Sequence, residues 1–378
     1  MSEFVRLHSL RAVATTWPLL FIPVVLSLIG IVTIHPFDGS HSLAPRQLVW
    51  LSIAILTYVA CAVTDMRFIR RTPVLIAGYL GISFLLVLLL TIGQTLMGAK
   101  SWFSFGLFAF QPADFAKLVL IALLAKYFSR RHMEIQHISH IFISGIYAAG
   151  IVLLVLVQPD LGTAVILMSI WFGMVLVSGI SKKHLALVLT LGLVAAGTLW
   201  TFGLHDYQRT RIMAFVHPTS DIHGSGYNAY QATVAAGSGQ LWGKGIGYGT
   251  QSKLRFLPEY ETDFIFAAFA EEWGFVGVVL LLTLYALLLF QLIRISRLSA
   301  TNFDALFTLG VALLIMAHVA IHAGINLGLL PVTGTTIPFM SSGGSHVVME
   351  FMALGIVASL SLQGRSVPRE QSLQEYEG

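Results

Sequence analysis

Residues 256–278 read FLPEYETDFIFAAFAEEWGFVGV and join an acidic, turn-containing segment to a long apolar run. The apolar run has the composition and the length of a helix that crosses a membrane. A carboxylate beside or inside such a helix is costly to remove from water, so a functional role is its default interpretation. The carboxylates of this stretch belong to Glu259, Glu261, Asp263, Glu271 and Glu272.

The composition extends this interpretation to the whole chain. Hydrophobic residues make up 56% of the 378 residues, charged residues only 11%, and the mean hydropathy is +0.81. These values exclude an ordinary soluble globular protein and predict an all-α polytopic integral membrane protein with about ten transmembrane helices. The apolar runs lie at 13–34, 46–64, 73–93, 113–128, 139–157, 161–180, 184–203, 263–293, 303–330 and 344–363.

Lysine and arginine are concentrated in alternate connections between these runs. Positive residues beside short loops stay on the cytoplasmic side, so both termini are predicted to be cytoplasmic. The net charge of +4 follows from this topology and does not indicate nucleic-acid binding. The residues are Arg6, Arg11, Arg67, Arg70, Arg71, Lys126, Arg130, Arg131, Lys182, Lys183, Arg294, Arg297, Arg365 and Arg369.

Residues 204–262 form one long polar segment between the seventh and eighth runs. Loops of this length are usually functional or disordered, and the mixture of aromatics, glycine turns and short amphipathic runs disfavours disorder. The segment is therefore predicted to be an ordered extracytoplasmic cap loop. Its many glycines permit positive φ angles and close approach to a ligand, but they lack the Gly-Lys-Ser/Thr ending of a nucleotide-binding loop.

Eight short motifs occur in the order found in a known family. They are GAKSW (98–102), QPADFAK (111–117), QPDLGT (158–163), DYQRTR (206–211), GSG (237–239), GKG (243–245), LPEYETDFIF (257–266) and SGGS (342–345). On these motifs the chain resembles the SEDS family, with TDFIF and QPDLGT the most specific. The run GTQSKLRFLPE (249–259) resembles the elongation member of the family more than the division member.

The resemblance implies a peptidoglycan glycosyltransferase that polymerises lipid II during cell-wall elongation and cell-shape maintenance. It implies a single membrane domain over residues 1–378, placed in the cytoplasmic membrane of a bacterium with its active site on the outer face. The expected partners are a class B penicillin-binding protein transpeptidase and other elongation-complex membrane proteins, with no nucleic acid. A divalent cation (Mg²⁺ or Mn²⁺) is compatible with this chemistry, and no organic cofactor is expected.

Asp263 is the candidate general base, because glycosyl transfer to a hydroxyl needs a group that accepts the hydroxyl proton. The alternative is structural, since Thr262 or Asp263 could cap the following helix. A helix terminus lowers the pKa of an Asp and apolar neighbours raise it, so the sequence leaves the sign open. A divalent cation shared between Asp263 and a neighbouring carboxylate is also open.

Asp114 and Lys117 are three residues apart and share one helix face. A lysine within a membrane needs a counter-charge, so a structural ion pair and a role in holding a lipid diphosphate are both open. The family usually has Gln-Pro-Ser-Glu here, whereas this chain has Ala113 and the shorter Asp114. Ser101 also replaces a commonly basic position of the family.

The remaining substrate-binding candidates come from the same motifs. Arg211, with Arg209 and Lys100, could bind a diphosphate, or these residues could contact lipid headgroups. The other candidates that the resemblance assigns are Trp102, Gln111, Glu259, Thr262, Ser342 and Gly343.

A stripe of polar residues at four-residue spacing, formed by His318, His322 and Asn326, indicates interhelical hydrogen bonding more than a metal or proton path. Asp160 is placed at a helix N-terminus, and Glu271, Glu272 and Glu350 are expected to pair with buried donors or to face cytoplasmic water. Two other functions stay open, a lipid-precursor flippase and a non-catalytic scaffold for a penicillin-binding protein.

Overall fold

The computed structural model describes residues 16–37, 43–96, 99–105, 108–130, 138–217 and 225–363, and these residues are predominantly helical. The helices are α1 (Pro18–Ile34), α2 (Leu43–Val63), α3 (Thr72–Ile92), α4 (Pro112–Ser129), α5 (Ile138–Val157), α6 (Leu161–Val177), α7 (Lys182–Thr198), α8 (Asp206–Val216), α9 (Ser225–Ser238), α10 (Thr250–Lys253), α11 (Ile265–Arg297), α12 (Asn302–Asn326) and α13 (Gly344–Gln363). Shorter helical turns lie at His35–Phe37, Met66–Arg70 and Leu199–Gly203.

Each predicted apolar run corresponds to a helix, which confirms the fold class. In the described part of the chain, eight helical segments are long and apolar enough to cross a membrane. The helix α6 is a shorter apolar helix. The helix α4 is less apolar because it carries Asp114, Lys117 and Lys126. The chain is therefore a multi-pass membrane protein.

A small antiparallel sheet joins α3 to α4, and the sequence did not predict it. Its strands are β1 (Gln94–Leu96), β2 (Ala99–Phe105) and β3 (Phe108–Phe110), in the order β1-β2-β3. Trp102 pairs with Gln94, and Phe103 pairs with Phe110. Strands of three residues are too short to show a clear alternation. The sheet places Trp102 beside the start of α4.

The helix α12 lies at the centre of the bundle and packs against α4, α6 and α11, while α13 packs along α2. Most residues of α13 are buried, whereas α7 has no buried residue among those described. Both helices are apolar, because lipid tails and a protein interior favour the same side chains. Packing, and not composition, therefore distinguishes the central helices from the peripheral ones.

The long helix α11 is interrupted at Gly274, whose φ is +66°. The amides of Phe275 and Val276, which follow the interruption, donate to the carbonyls of Gln240 (2.8 Å) and Leu241 (3.1 Å). A positive φ is readily adopted by glycine, and the carbonyls replace the lost helical acceptors. The 204–262 segment thus supplies hydrogen-bond acceptors to α11 at its interruption.

Candidate active site

A cavity of about 370 Å³ opens where the ends of α4, α6, α8, α11 and α13 meet. It brings together ten residues that the sequence singled out. These are Trp102, Gln111, Asp114, Lys117, Arg211, Glu259, Thr262, Asp263, Ser342 and Gly343. The eleventh, Lys100, lies in β2, and its side chain falls outside the described residues. Residues far apart in the sequence therefore line a single cavity.

The Asp263 backbone is fixed by a side chain from α12. The N-cap residue of α11 is Phe264, whose side chain makes no capping hydrogen bond, and no hydrogen bond joins an α11 amide to the Asp263 or Thr262 side chain in the part of the chain that the structure describes. Instead, the Asn326 amide donates to the Asp263 carbonyl (3.0 Å), and its oxygen accepts from the Ala267 N–H (3.0 Å). Asn326 thus satisfies a helix-terminal amide and leaves the Asp263 carboxylate free to face the cavity.

The loop before α13 braces the acidic loop from the other side. The Ser341 hydroxyl donates to the Thr262 carbonyl (2.9 Å), and the Ser342 N–H donates to the Glu261 carbonyl (2.8 Å). Ser342 and Gly343 line the cavity through this loop. Their position results from backbone contacts that hold the 259–263 loop in place.

The Asp263 carboxyl is electrostatically unusual. Burial and the nearby Glu259 raise its pKa from 3.8 to about 7, against the opposing effects of Arg211 and a hydrogen bond from Thr262. Burial and Glu261 also raise the pKa of Glu259. The sequence left open whether the pKa of Asp263 is raised or lowered. It is raised, because desolvation outweighs the stabilising charges. A pKa near neutrality suits a group that both accepts and releases a proton.

At the opposite wall, Asp114 and Lys117 form a buried ion pair with an N–O distance of 2.9 Å. Both residues also line the cavity, so the structural ion pair does not exclude contact with a ligand. The shorter Asp114 side chain reaches Lys117, Ser345 (3.1 Å) and His346 (3.2 Å). The Lys117 ammonium also lies 3.3 Å from His318 Nε2.

His346 is a cavity residue that the sequence analysis did not identify. Its ring lies 5.0 Å from the His318 ring, and its Nε2 lies 2.9 Å from Glu350 Oε1. The Phe339 N–H donates to the other Glu350 oxygen (2.8 Å). A histidine and a glutamate four residues apart in an apolar helix would have indicated this pair, because an intramembrane charge requires a partner.

The polar stripe of α12 makes interhelical contacts, as predicted, between Asn326 and Ala267 of α11 and between His318 and Lys117 of α4, and its histidines also contact the loop after α12. His318 Nδ1 lies 3.0 Å from the Thr336 carbonyl, and His322 Nδ1 lies 2.7 Å from the Thr335 carbonyl. No group of three or more potential metal ligands occurs among the described residues. The stripe anchors the loop after α12, which forms part of the cavity wall.

Asp160 caps α6, as its position after Pro159 predicted. Its carboxylate accepts from the Thr163 N–H (3.0 Å), the Thr163 hydroxyl (2.9 Å) and the Gln111 amide (3.2 Å). Both Asp160 and Gln111 line the cavity. The cap therefore links the QPDLGT and QPADFAK motifs at the site.

The helix α8 contributes the cavity rim. Arg211 lies over the Tyr207 ring at 5.7 Å, and the Tyr207 hydroxyl donates to the Pro159 carbonyl (3.0 Å). Arg209 does not line the cavity, and its guanidinium donates to the Thr201 carbonyl (3.1 Å). Of the two arginines predicted as possible diphosphate ligands, Arg211 is the one that lines the cavity.

The glycines of the 204–262 segment contact the protein's own carboxylates. We define residues 238–251 as the clasp. Lys244 Nζ lies 2.6 Å from Glu271 Oε1, and the amides of Thr250 (2.9 Å) and Gln251 (3.2 Å) donate to the same oxygen. A Cβ on Gly243, whose φ is +80°, would clash with the Glu272 carbonyl oxygen. The clasp thus requires glycine for backbone approach within the protein.

Glu272 is held by the same clasp, because the Gly247 N–H donates to its Oε1 (2.7 Å). It does not line the cavity with Asp263, so the two carboxylates face different surfaces. Lys244 is the counter-charge of Glu271.

Comparison with known proteins agrees with these motifs. A family model described as cell cycle protein, covering FtsW, RodA and SpoVE, matches residues 8–366. The chain is 33% identical over 360 residues to stage V sporulation protein E of Bacillus subtilis (92% of this chain and 97% of that protein). It is 37% identical over 276 residues to the peptidoglycan glycosyltransferase MrdB of Escherichia coli (73% and 74%).

The chain is also similar to a solved structure that was reported under the heading "Structural coordination of polymerization and crosslinking by a peptidoglycan synthase complex". It superposes with a TM-score of 0.78 at 31% identity and covers 94% of this chain and 98% of that one. The family match extends over nearly the whole chain, and the fold agrees with it. The chain therefore belongs to the SEDS family, the family of FtsW, RodA and SpoVE.

Proposed function

We propose that this protein is a peptidoglycan glycosyltransferase that polymerises lipid II into glycan strands. The observation that carries the proposal is the position of Asp263 on the wall of a cavity that also holds Lys117 and Arg211, and its raised pKa of about 7 suits a proton acceptor. The relative named peptidoglycan glycosyltransferase, at 37% identity, supports the same activity.

The reaction assigns different work to the two walls. Asp263 takes the proton from the 4-hydroxyl of the acceptor sugar while that oxygen forms a bond to the anomeric carbon of the donor. The bond from that carbon to the lipid diphosphate breaks, and the electron pair leaves with the diphosphate. Lys117 and Arg211 stabilise the charge that develops on this leaving group. The transfer needs no organic cofactor.

A divalent cation is compatible with the acidic end of the site. Asp263 and Glu259 are neighbouring carboxylates with raised pKa values, so a bound cation would relieve their mutual repulsion. Carboxylate oxygens are the ligands that Mg²⁺ and Mn²⁺ prefer. When bound, the cation would supply further charge stabilisation for the diphosphate, and Asp263 and Glu259 are the residues that would hold it.

The cellular setting follows from the motifs and from charge. The GTQSKLRFLPE run favours the elongation member, RodA, over the division member, FtsW. The distribution of Lys and Arg favours cytoplasmic termini in a bacterial cytoplasmic membrane, a single domain over 1–378, and the 204–262 segment with the site on the outer face. A class B penicillin-binding protein, together with other elongation-complex proteins, is the proposed partner, supported by the similarity to the synthase complex.

The test is polymerisation of fluorescent lipid II by the purified protein, alone and with its penicillin-binding partner. Wild type is expected to form polymer, Asp263→Asn to form almost none, and Asp206→Asn to resemble wild type because the Asp206 side chain is fully exposed to solvent. Equal activity of wild type and Asp263→Asn would contradict the proposal. Absence of polymer with transport of lipid II across vesicles would indicate a flippase, and absence of both would indicate a scaffold.

A further inference from the structure

His346 lies at the cavity between two carboxylates. It is the third residue of α13, its side chain lines the cavity, and only 4% of the residue is exposed. Its Nδ1 lies 3.2 Å from Asp114 Oδ1, and its Nε2 lies 2.9 Å from Glu350 Oε1. Nothing in the proposed reaction has used this residue.

The two contacts favour the cationic ring. An imidazolium has an N–H on both ring nitrogens, whereas a neutral imidazole would direct one lone pair at a carboxylate oxygen. A buried charge persists when it is paired, and here a carboxylate lies on each side of the ring: Nδ1 is within hydrogen-bond distance of Asp114, and Nε2 is within ion-pair distance of Glu350 but is not aligned for a hydrogen bond. The cationic form therefore balances Asp114 and Glu350 together with Lys117.

The pairing affects how many N–H groups of Lys117 are available to a ligand. An ammonium has three N–H groups, of which one faces Asp114 (2.9 Å) and one faces His318 Nε2 (3.3 Å). His318 accepts at Nε2 when its Nδ1–H donates to the Thr336 carbonyl (3.0 Å). One Lys117 N–H is left for the cavity, and Asp114 divides its charge between Lys117, His346 and the Ser345 hydroxyl.

We propose that His346, held by Glu350, belongs to the diphosphate subsite: it shares the negative charge of Asp114 so that Lys117 can engage a phosphate oxygen of the lipid-linked substrate. The inference rests on the proposed function, because it takes the substrate to carry a diphosphate. His346 acts as a positioning residue for Lys117 and adds positive potential to the same wall. Glu350 orients the ring, since its other oxygen is fixed by the Phe339 N–H.

The test measures binding separately from turnover. Farnesyl diphosphate is titrated into the purified full chain in detergent, with farnesol as the control for binding of the apolar tail. His346→Gln is expected to raise the Kd for farnesyl diphosphate about ten-fold, the effect of one lost charge-assisted contact. The Kd for farnesol should not change. In lipid II polymerisation, the loss should appear mainly as a higher KM.

Two companion variants separate this role from a general need for a buried histidine. His140→Gln replaces a buried histidine of α5 that contacts the Tyr127 hydroxyl (2.9 Å) and does not line the cavity, and it should bind farnesyl diphosphate like wild type. His346→Lys keeps a positive charge and should recover part of the affinity. If His346→Gln does not fold, the Kd of Glu350→Gln for farnesyl diphosphate tests the inference instead. This variant leaves the ring in place and removes one of its two carboxylates, so its Kd should also rise.

Unchanged farnesyl diphosphate affinity in a folded His346→Gln or Glu350→Gln variant would overturn the inference, as would an equal loss in His140→Gln. If wild type polymerises lipid II while His346→Gln binds normally, the inference alone fails. If wild type makes no polymer but the binding difference is found, the proposed function fails and the diphosphate subsite stands.

Discussion

Asp263 and Glu271 lie eight positions apart on the same segment, and the protein treats them in opposite ways. Glu271 has no exposed surface, and one of its oxygens accepts from Lys244, Thr250 and Gln251. Asp263 receives a hydrogen bond only from Thr262 within the described chain, and its pKa is raised to about 7. One carboxylate is fully satisfied by the fold, and the other is left for a ligand.

This difference shows how a structural carboxylate can be distinguished from a functional one. A buried carboxylate that is hydrogen-bonded on all sides contributes to stability and has nothing left to offer a substrate. A carboxylate that is desolvated without donors destabilises the fold and persists for another reason. The clasp around Glu271 and the cavity around Asp263 are examples of the two cases, joined by one helix.

The strongest test of this distinction is Asp263→Asn. It should lower the polymerisation rate about 10²- to 10⁴-fold, the usual contribution of a general base. It should also raise the melting temperature at pH 8. Because the folded pKa of about 7 exceeds the ordinary value of 3.8, ionisation costs stability increasingly between these pH values and fully above them. A lower melting temperature at pH 8 would show that the carboxylate is structural.

Glu271→Gln should have the opposite profile. Removing one partner of a buried, hydrogen-bonded ion pair should lower the free energy of unfolding by about 3 kcal/mol, seen as a lower melting temperature in detergent. The folded fraction should keep the wild-type pH profile of polymerisation, since Glu271 does not line the cavity. An unchanged melting temperature would contradict the structural role of Glu271, and a shifted pH profile would make it part of the active site.

Asn326 connects the two cases, because it fixes the backbone on which Asp263 stands. Asn326→Leu removes the donor to the Asp263 carbonyl and the acceptor of the Ala267 N–H, and it should lower kcat about ten-fold through misplacement of the base. Asn326→Asp keeps the acceptor for Ala267 and should cost less. Equal kcat values for both variants and wild type would contradict this positioning role.

The smallest expected effect is a shift of the pH profile. Polymerisation should increase as the pH rises through about 7, because Asp263 must be ionised to accept a proton. Glu259→Gln removes a negative neighbour and should lower the pKa of Asp263, which moves the profile toward acid pH. The check is the position of the rise in initial rate against pH, with Asp206→Asn as the control. A rise at the same pH in Glu259→Gln would exclude coupling between the two carboxylates.

Several site residues could be identified from the sequence because their chemistry is conspicuous in an apolar chain. Asp263, Asp114 and Lys117 stand out as charges beside or within predicted membrane helices, and the motifs add Arg211. His346 was missed although it stands four residues before Glu350 in an apolar run, because that spacing does not reveal the third partner, Asp114. Arg209 was included because it belongs to the same DYQRTR motif as Arg211, and only the orientation of α8 places one at the cavity and the other away from it.

The clasp was only partly predictable for the same reason. Glycine spacing indicates where a backbone can approach another group, but it does not say whether that group is a ligand or Glu271. The kink at Gly274 was hidden inside an apolar run, since hydropathy does not register one residue with a positive φ. Its replacement acceptors, the carbonyls of Gln240 and Leu241, come from a distant segment.

The sequence by itself determined the membrane class, the number and order of the apolar helices, and the motifs of the family. These follow from composition and period, because a bilayer selects long apolar helices wherever they occur in a chain. Only the tertiary structure decided which carboxylates are satisfied and which face the cavity. The reason is that desolvation and hydrogen bonding depend on neighbours hundreds of residues away, such as Asp114 and His346, whose contact no local pattern encodes.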